Sequence, residues 1–332
     1  MTDTPTARWF RRFADHDANG ASAVYADWAD GVADDPALLE LLDRLPMQKR
    51  QPPLVFAVSR FVGAPVGRFT EWRAWMLAHW PIVEAELLLR YTQTNEPRRC
   101  AALLPALARI EGPIALLEVG ASAGLCLYPD RYSYDYDGVR IDPADGPSPV
   151  VLRSAVSGGV PLPSALPTVI WRAGIDLDPL DVHDPLDARW LETLVWPEQE
   201  ARLELLRGAM AVARAEPPLL VLGDAVDALA ALAARAPSDA TLVVVSSGVL
   251  VYLPGLERQR FVDAVGALDA HWVSLEGAAV LTGIADELEQ LTDAETDGRY
   301  VLALDGHPLA FVGPHGQSVE WIDPVGDSPP GA

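Results

Sequence analysis

The sequence predicts an α/β fold: a doubly wound, mostly parallel sheet in the C-terminal two-thirds, preceded by a helical N-terminal domain. Three observations predict it. Residues 1–111 place apolar side chains at helical spacing. From residue 112 onward, short and nearly continuous apolar runs alternate with amphipathic stretches, the pattern of buried parallel strands covered by helices. Acids, serines and glycines collect where those runs end, and in such sheets the ligand sits beyond the carboxyl ends of the strands. The expected division is a helical domain over 1–111 and an α/β domain over 112–325 with an insertion at about 128–167.

In the first segment, "EWRAWMLAHWPIVEAELLLRY" sets Trp72, Trp75, Met76, Trp80, Val83, Leu87 and Leu88 on one helical period. "PRRCAALLPALARI" does the same with Leu103, Leu104, Leu107 and Ile110, and Pro81 and Pro105 are expected to kink or divide these helices. Strands are then expected at "IALLEV" (114–119), "TVIWRAGI" (168–175), "PLLVLG" (218–223), "TLVVVSS" (241–247), "HWVSLEG" (271–277) and "YVLALD" (300–305), with "LAFVG" and "VEWI" as a closing hairpin. Helices are expected at "LDARWLETLVW", "ARLELLRGAMAVARA", "AVDALAALAARA" and "LERQRFVDAVGALDA" between them. Alternation in "YSYDYDGVRI" marks a strand inside the insertion. "DPADGPSPV" (142–150) and "SGGVPLPSALP" (157–167) punctuate the chain, and the tail "DPVGDSPPGA" reads as a frayed end.

The 332 residues carry a formal net charge of −22, which repels phosphate backbones and makes nucleic acid an unexpected partner. No apolar run reaches the roughly 18 residues of a membrane span, and the first residues lack an apolar signal core, so a cytoplasmic protein is expected. Cys100 and Cys126 are the only cysteines, too few for a disulfide framework or a cysteine-built zinc site. The six histidines show no metal-ligand spacing, so no metal is expected. Lys49 is the only lysine, and arginine with abundant alanine points to a GC-rich bacterial genome. Oligomeric state leaves no visible mark.

Four strand ends carry chemistry. "LLEVGASAGL" (116–125) runs from Glu118 through Gly120, Ser122 and Gly124; glycine permits torsions that other residues avoid, and a following helix would offer free N–H groups. A tight turn with no ligand explains the same residues. It is not a lysine-type phosphate loop, because no Gly-Lys-Ser/Thr follows. "GIDLDPLDV" ends a strand in Asp176, an acid placed to accept from ribose hydroxyls, while Asp178 before Pro179 reads as a helix cap. Asp176 lies far beyond the roughly 20 residues of the usual dinucleotide spacing, hence the insertion; Asp135 is closer but lacks the strand-then-helix context. "VLGDAV" puts Asp224 and Ala225 after a third strand, where Asp224 either caps a helix or meets ligand. "TLVVVSSGVLVYLP" ends a fourth strand at Ser246-Ser247-Gly248 and runs on to Tyr252.

These four signals, taken together, resemble the class I methyltransferases that use S-adenosylmethionine. Glu118 to Gly124 resembles the acid-x-Gly-x-Gly-x-Gly motif of that class, with Ser122 in place of the middle glycine. Asp176-Leu177-Asp178-Pro179 is similar to its second motif, Gly223-Asp224-Ala225 to its adenine-contacting loop, and 242–254 to its fourth strand. The resemblance implies a seven-stranded Rossmann-like sheet, S-adenosylmethionine as cofactor, and Glu118, Gly120, Ser122, Gly124, Asp176, Asp224, Ala225 and Ser246 as cofactor-binding residues. Over nearly its full length the chain also resembles the uncharacterised bacterial family 2332 of the domains of unknown function, through "TQTNEP" (92–97), "LLEVGASAGL", "GIDLDPLDV", "LVWPE" (194–198) and "LALDGHPLAFVGPHG" (302–316). That resemblance carries no established reaction.

Acids at strand ends suit ribose hydroxyls, an adenine amine and a sulfonium cation. Methyl transfer is an in-line displacement in which positioning supplies much of the acceleration, so no catalytic residue is assigned. "TQTNEP" offers Gln93, Asn95 and Glu96 toward a small-molecule acceptor, with Tyr252 a further candidate; alternatively Thr94 or Asn95 caps a helix with Pro97 in its first turn. The expected function is therefore methyl transfer to a small molecule, with the helical domain as a cap. A non-catalytic nucleoside-binding or interaction protein of the same fold is the alternative, and a nicotinamide-dependent enzyme is a third. No Gly-x-Ser-x-Gly elbow supports a hydrolase.

Overall fold

The computed structural model describes residues 4–93, 95–288 and 298–322, so Thr94 and the tail 323–332 lie outside the described residues. In chain order the helices begin with α1 (Pro5–Arg12), α2 (Ala23–Ala33), α3 (Pro36–Leu42), α4 (Pro52–Phe61), α5 (Phe69–Leu89) and α6 (Arg99–Leu107). Strand β1 (Ile114–Val119) follows, then β2 (Ser133–Tyr136), β3 (Val139–Ile141), β4 (Val151–Ser157) and β5 (Val169–Asp176). Next come α7 (Pro185–Leu194), α8 (Glu200–Ala215), β6 (Leu219–Leu222), α9 (Ala225–Ala233), β7 (Thr241–Ser247), α10 (Gly255–Gly266) and β8 (His271–Gly277). The chain closes with α11 (Thr282–Glu287), β9 (Tyr300–Leu304), β10 (His307–Val312) and β11 (Ser318–Trp321). Among the described residues no helix is long and apolar enough to cross a membrane.

The chain divides into two compact units, 1–94 with 183–207, and 95–182 with 208–332. Helix α6, at the end of the segment expected to form the helical domain, groups with the second unit. In the first unit four helices start at side-chain caps: Thr4, Ser22, Asp35 and Asp184 each accept a backbone N–H from the first turn of α1, α2, α3 and α7. Its core is aromatic, with Trp28 stacked on Trp72 at 4.8 Å and Phe56 edge-on to both. Pro81 does not divide α5, nor Pro105 α6; each proline sits inside a continuous helix, α5 burying one face and α6 buried along its whole length. The helix expected to begin at Asp178-Pro179 begins instead at Asp184-Pro185, because the N–H groups of Asp178 and Leu180 are taken by the Asp176 side chain and the Ser122 carbonyl.

The second unit is built on one sheet of 11 strands in the order β3-β2-β4-β11-β10-β9-β8-β7-β1-β5-β6. The seven-strand expectation is thus corrected. The insertion is not a loop: "YSYDYDGVRI" folds as the β2–β3 hairpin around Asp137-Gly138, and β4 pairs parallel with β2 and β11, extending the sheet. Five strands, β6-β5-β1-β7-β8, are mutually parallel; beyond them β9 pairs antiparallel with β8, and β10 antiparallel with β9. Chain order reverses between β1 and β7, which is the switch point of a doubly wound sheet. On one face Leu117, Val119, Ile175, Val244 and Trp272 pack with Leu229, Phe261 and Val265 of α9 and α10. Alternation along β1 and β7 puts Glu118 and Ser247 on the other face.

Candidate functional site

The turn after β1 is wound tightly and fastened from within. Gly120 and Ala121 donate their N–H groups to the Ile175 carbonyl, and Gly124 donates to Ala121. Ser122 takes a left-handed conformation at φ 51 and donates its N–H to Asp176 Oδ2 at 2.7 Å. Asn95 spans the turn: its amide nitrogen donates to the Ala121 carbonyl at 3.1 Å, and its oxygen accepts the Leu125 N–H at 2.9 Å. The Tyr132 hydroxyl donates to Leu125 O. The helix expected after the glycines is a three-residue 3-10 turn, Leu125–Leu127, so no long helix presents free N–H groups there. Gly120 is required on two counts: its φ is +73, and a Cβ would lie 2.5 Å from the side chain of Val249, which covers it.

Asp176 closes β5. Besides Ser122, its carboxylate accepts the Asp178 N–H at 2.9 Å. Asp224 follows β6 and caps α9, accepting from Val226 and Asp227, with Ala225 as the first helical residue. Ser246, at the end of β7, is fully buried; its hydroxyl accepts from Trp272 Nε1 at 3.2 Å and is hydrogen-bonded to Glu276. Tyr252, on the short turn after β7, is exposed. Of the acceptor candidates, Gln93 belongs to the first unit, whereas Asn95 and Glu96 belong to the second. Neither caps α6, which starts without a side-chain cap. The Glu96 carbonyl accepts from Cys126 Sγ at 3.3 Å.

Glu118 is the outlier. It is 3% exposed, yet its Oε2 has no hydrogen-bond partner among the described residues. Burial above all, then the neighbouring Cys126 thiol and the Asp176 carboxylate, hold its carboxyl well above the usual range, against the pull of Arg99. The hydroxyls of Ser122, Ser247 and Ser274 are likewise buried without partners. Such atoms in a native fold call for a ligand or water.

Two residues of the site escaped the sequence reading. Arg99, at the start of α6, is buried and donates Nη1 to the Ser247 carbonyl at 2.7 Å and Nε to the Pro314 carbonyl at 3.1 Å. Its charge acts on both Glu118 and Glu276. Gly248 has φ +63, a left-handed conformation that favours glycine, and a Cβ there would stand 3.0 Å from Arg99 Nη2. Glu276, near the end of β8, is buried and accepts the N–H groups of Val249 and Leu250 at 3.3 Å. Burial pushes its carboxyl up to about 7, against these bonds, Arg99 and Ser246. The acid in "SLEG" gave the signal already used for Glu118 and Asp176; the Arg98-Arg99 doublet gave none. Among the described residues no group of three or more His, Cys, Asp or Glu side chains is placed to hold a metal.

A family profile described as "Uncharacterized protein conserved in bacteria (DUF2332)" matches residues 7–321. The chain belongs to DUF2332. No curated protein and no solved structure matches it. The geometry gives the DUF2332 segments that the sequence reading singled out a physical link: Asn95 of "TQTNEP" braces the turn of "LLEVGASAGL", Asp176 of "GIDLDPLDV" anchors the same turn, and the Pro314 carbonyl of "GPHG" holds Arg99.

Proposed function

We propose that this DUF2332 chain binds S-adenosylmethionine at the carboxyl edge of β1, β5, β6 and β7 and transfers its methyl group to a small-molecule acceptor. The observation that carries the reading is the buried, unpartnered Oε2 of Glu118 at the switch point of the sheet. The donor set fits a cation with hydroxyl and amine groups: Glu118, Asp176 and Asp224 end three adjacent strands, and the nearby base, Arg99, has nitrogens committed to backbone carbonyls. When bound, S-adenosylmethionine supplies an electrophilic methyl group on a positively charged sulfur. Glu118, whose proton the approaching cation would displace, would then offset that charge; Asp176 and Asp224 would accept from hydroxyl and amino groups; Ala225 and the turn Gly120–Gly124 would line the same edge. Tyr252 offers an exposed ring to an acceptor. A dinucleotide fits less well, because the N–H groups of Gly120, Ala121, Ser122, Gly124 and Leu125, the kind that would cradle a pyrophosphate, are taken by the protein.

That saturation, with Val249 over Gly120, favours a second reading, a non-catalytic protein that kept the sheet and holds a nucleoside ligand or a partner. Native mass spectrometry of the chain with S-adenosylmethionine, S-adenosylhomocysteine and NAD tests the first reading. A one-to-one adduct with either adenosyl sulfur compound supports it, an adduct with NAD alone overturns it, and binding without turnover on any acceptor supports the second.

A further inference from the structure

We propose that Glu276 is a latch on the turn that covers the glycine corner: the turn lies closed over Gly120 while the Glu276 carboxyl is neutral and opens when that carboxyl ionises and draws in water. As regulation of a ligand site this rests on the adenosyl reading above; movement of the turn does not.

The geometry begins at Val249. Its side chain fills the space beside the Gly120 Cα, and its N–H, with that of Leu250, is held by Glu276. The same turn carries the exposed Val251 and Tyr252. It is not packed as regular helix; only Leu250–Tyr252 form a single 3-10 turn, and Gly248 supplies a left-handed pivot. One buried side chain therefore sets the position of the residue that closes the first glycine of the crevice.

The charged and polar groups around Glu276 and the turn it holds come from six elements. Arg99 faces it from α6, Ser246 from β7 and, through Ser246, Trp272 from β8 itself. From α10, Arg258 donates to the Leu250 and Leu253 carbonyls at 3.1 Å, holding the turn by its other edge. The Tyr300 ring of β9 lies 5.8 Å from the Arg99 guanidinium carbon, and Glu118 of β1 shares the pull of Arg99. Burial outweighs all of these, so Glu276 holds its proton in the closed turn to a higher pH than it would in water. Any excursion that lets water reach the carboxylate is then favoured by its ionisation, and raising the pH opens the turn.

Hydrogen exchange on the full chain tests this, read as protection of the Val249 and Leu250 amides after correction for intrinsic exchange. Protection should fall by about 10-fold or more between pH 5.5 and 7.5. In Glu276→Gln, which cannot ionise, it should be high and independent of pH. Ser246→Ala, which removes a bond favouring the ionised form, should move the midpoint up by about half a pH unit. Protection that is flat in the unaltered chain, or that rises with pH, overturns the latch. Calorimetric titration with S-adenosylhomocysteine supplies the second readout: about 10-fold tighter binding at pH 7.5 than at 5.5, lost in Glu276→Gln, supports regulation of the site. Equal pH dependence in both proteins overturns that regulation. PH-dependent protection with no adenosyl binding at any pH supports the latch and removes the ligand reading instead.

Discussion

The carboxylate of Asp176 accepts the backbone N–H of Ser122 at 2.7 Å, tying the end of β5 to the left-handed corner after β1. With the Asp178 N–H on its second oxygen, this one side chain orders two loops at the carboxyl edge of the sheet. Asp176→Ala leaves both N–H groups without their acceptor and is expected to lower stability by about 2 kcal/mol, whereas Asp176→Asn, which keeps one acceptor oxygen, should lose roughly half as much. Denaturant unfolding of the three proteins checks the order.

Asn95 makes a sharper case because it is buried and uses both ends of its amide. Asn95→Asp sets a carboxylate against the Ala121 carbonyl and removes the donor. It should destabilise by roughly 3 kcal/mol, more than Asn95→Ala at roughly 2 kcal/mol. If Asn95→Asp unfolds at the same denaturant concentration as the unaltered chain, the brace is not what holds the turn.

Gly120 and Val249 should behave as a coupled pair. Gly120→Ala combines a left-handed backbone with a Cβ 2.5 Å from Val249 and is expected to cost at least about 2 kcal/mol. Val249→Ala in the same chain should recover the steric part and leave the backbone part of about 1 kcal/mol. A double-mutant cycle by thermal unfolding measures the coupling, and strict additivity would place Val249 elsewhere.

Stability should also carry the signature of buried acids. The folded-state carboxyl of Glu276 stands at about 7, above an ordinary value of 4.5. Its contribution is therefore fully present below about pH 4.5 and is lost as the pH rises through about 7. Glu118 is raised for the same reason, burial, and acts in the same direction. Unfolding free energies at pH 4.5 and 7.5 should show Glu276→Gln gaining on the unaltered chain by roughly 3 kcal/mol across that window. A difference between the two proteins that does not change with pH contradicts the assignment.

Much of this was legible in residue order. The runs "IALLEV", "TLVVVSS" and "HWVSLEG" are β1, β7 and β8 residue for residue, since apolar strands buried on both faces leave little choice of boundary. What was not legible has physical causes. Proline- and glycine-rich flanks hid β4, whose pairing with β11 is a contact between distant segments. The glycine turn reads as a ligand cradle, but Asn95 and Asp176 take N–H groups of Leu125 and Ser122 from 30 and 54 residues away, which no local pattern announces. Arg99 lies in an apolar helix start, and only the fold brings its charge within reach of both Glu118 and Glu276.

The central claim is that Glu118, through its unpartnered Oε2, receives an adenosyl sulfonium, and isothermal titration of S-adenosylmethionine into the unaltered chain and into Glu118→Gln tests it most directly. Saturable one-site binding, weakened by about 10-fold or more in Glu118→Gln, is the predicted result. Absence of binding, or binding that Glu118→Gln leaves unchanged, would contradict it.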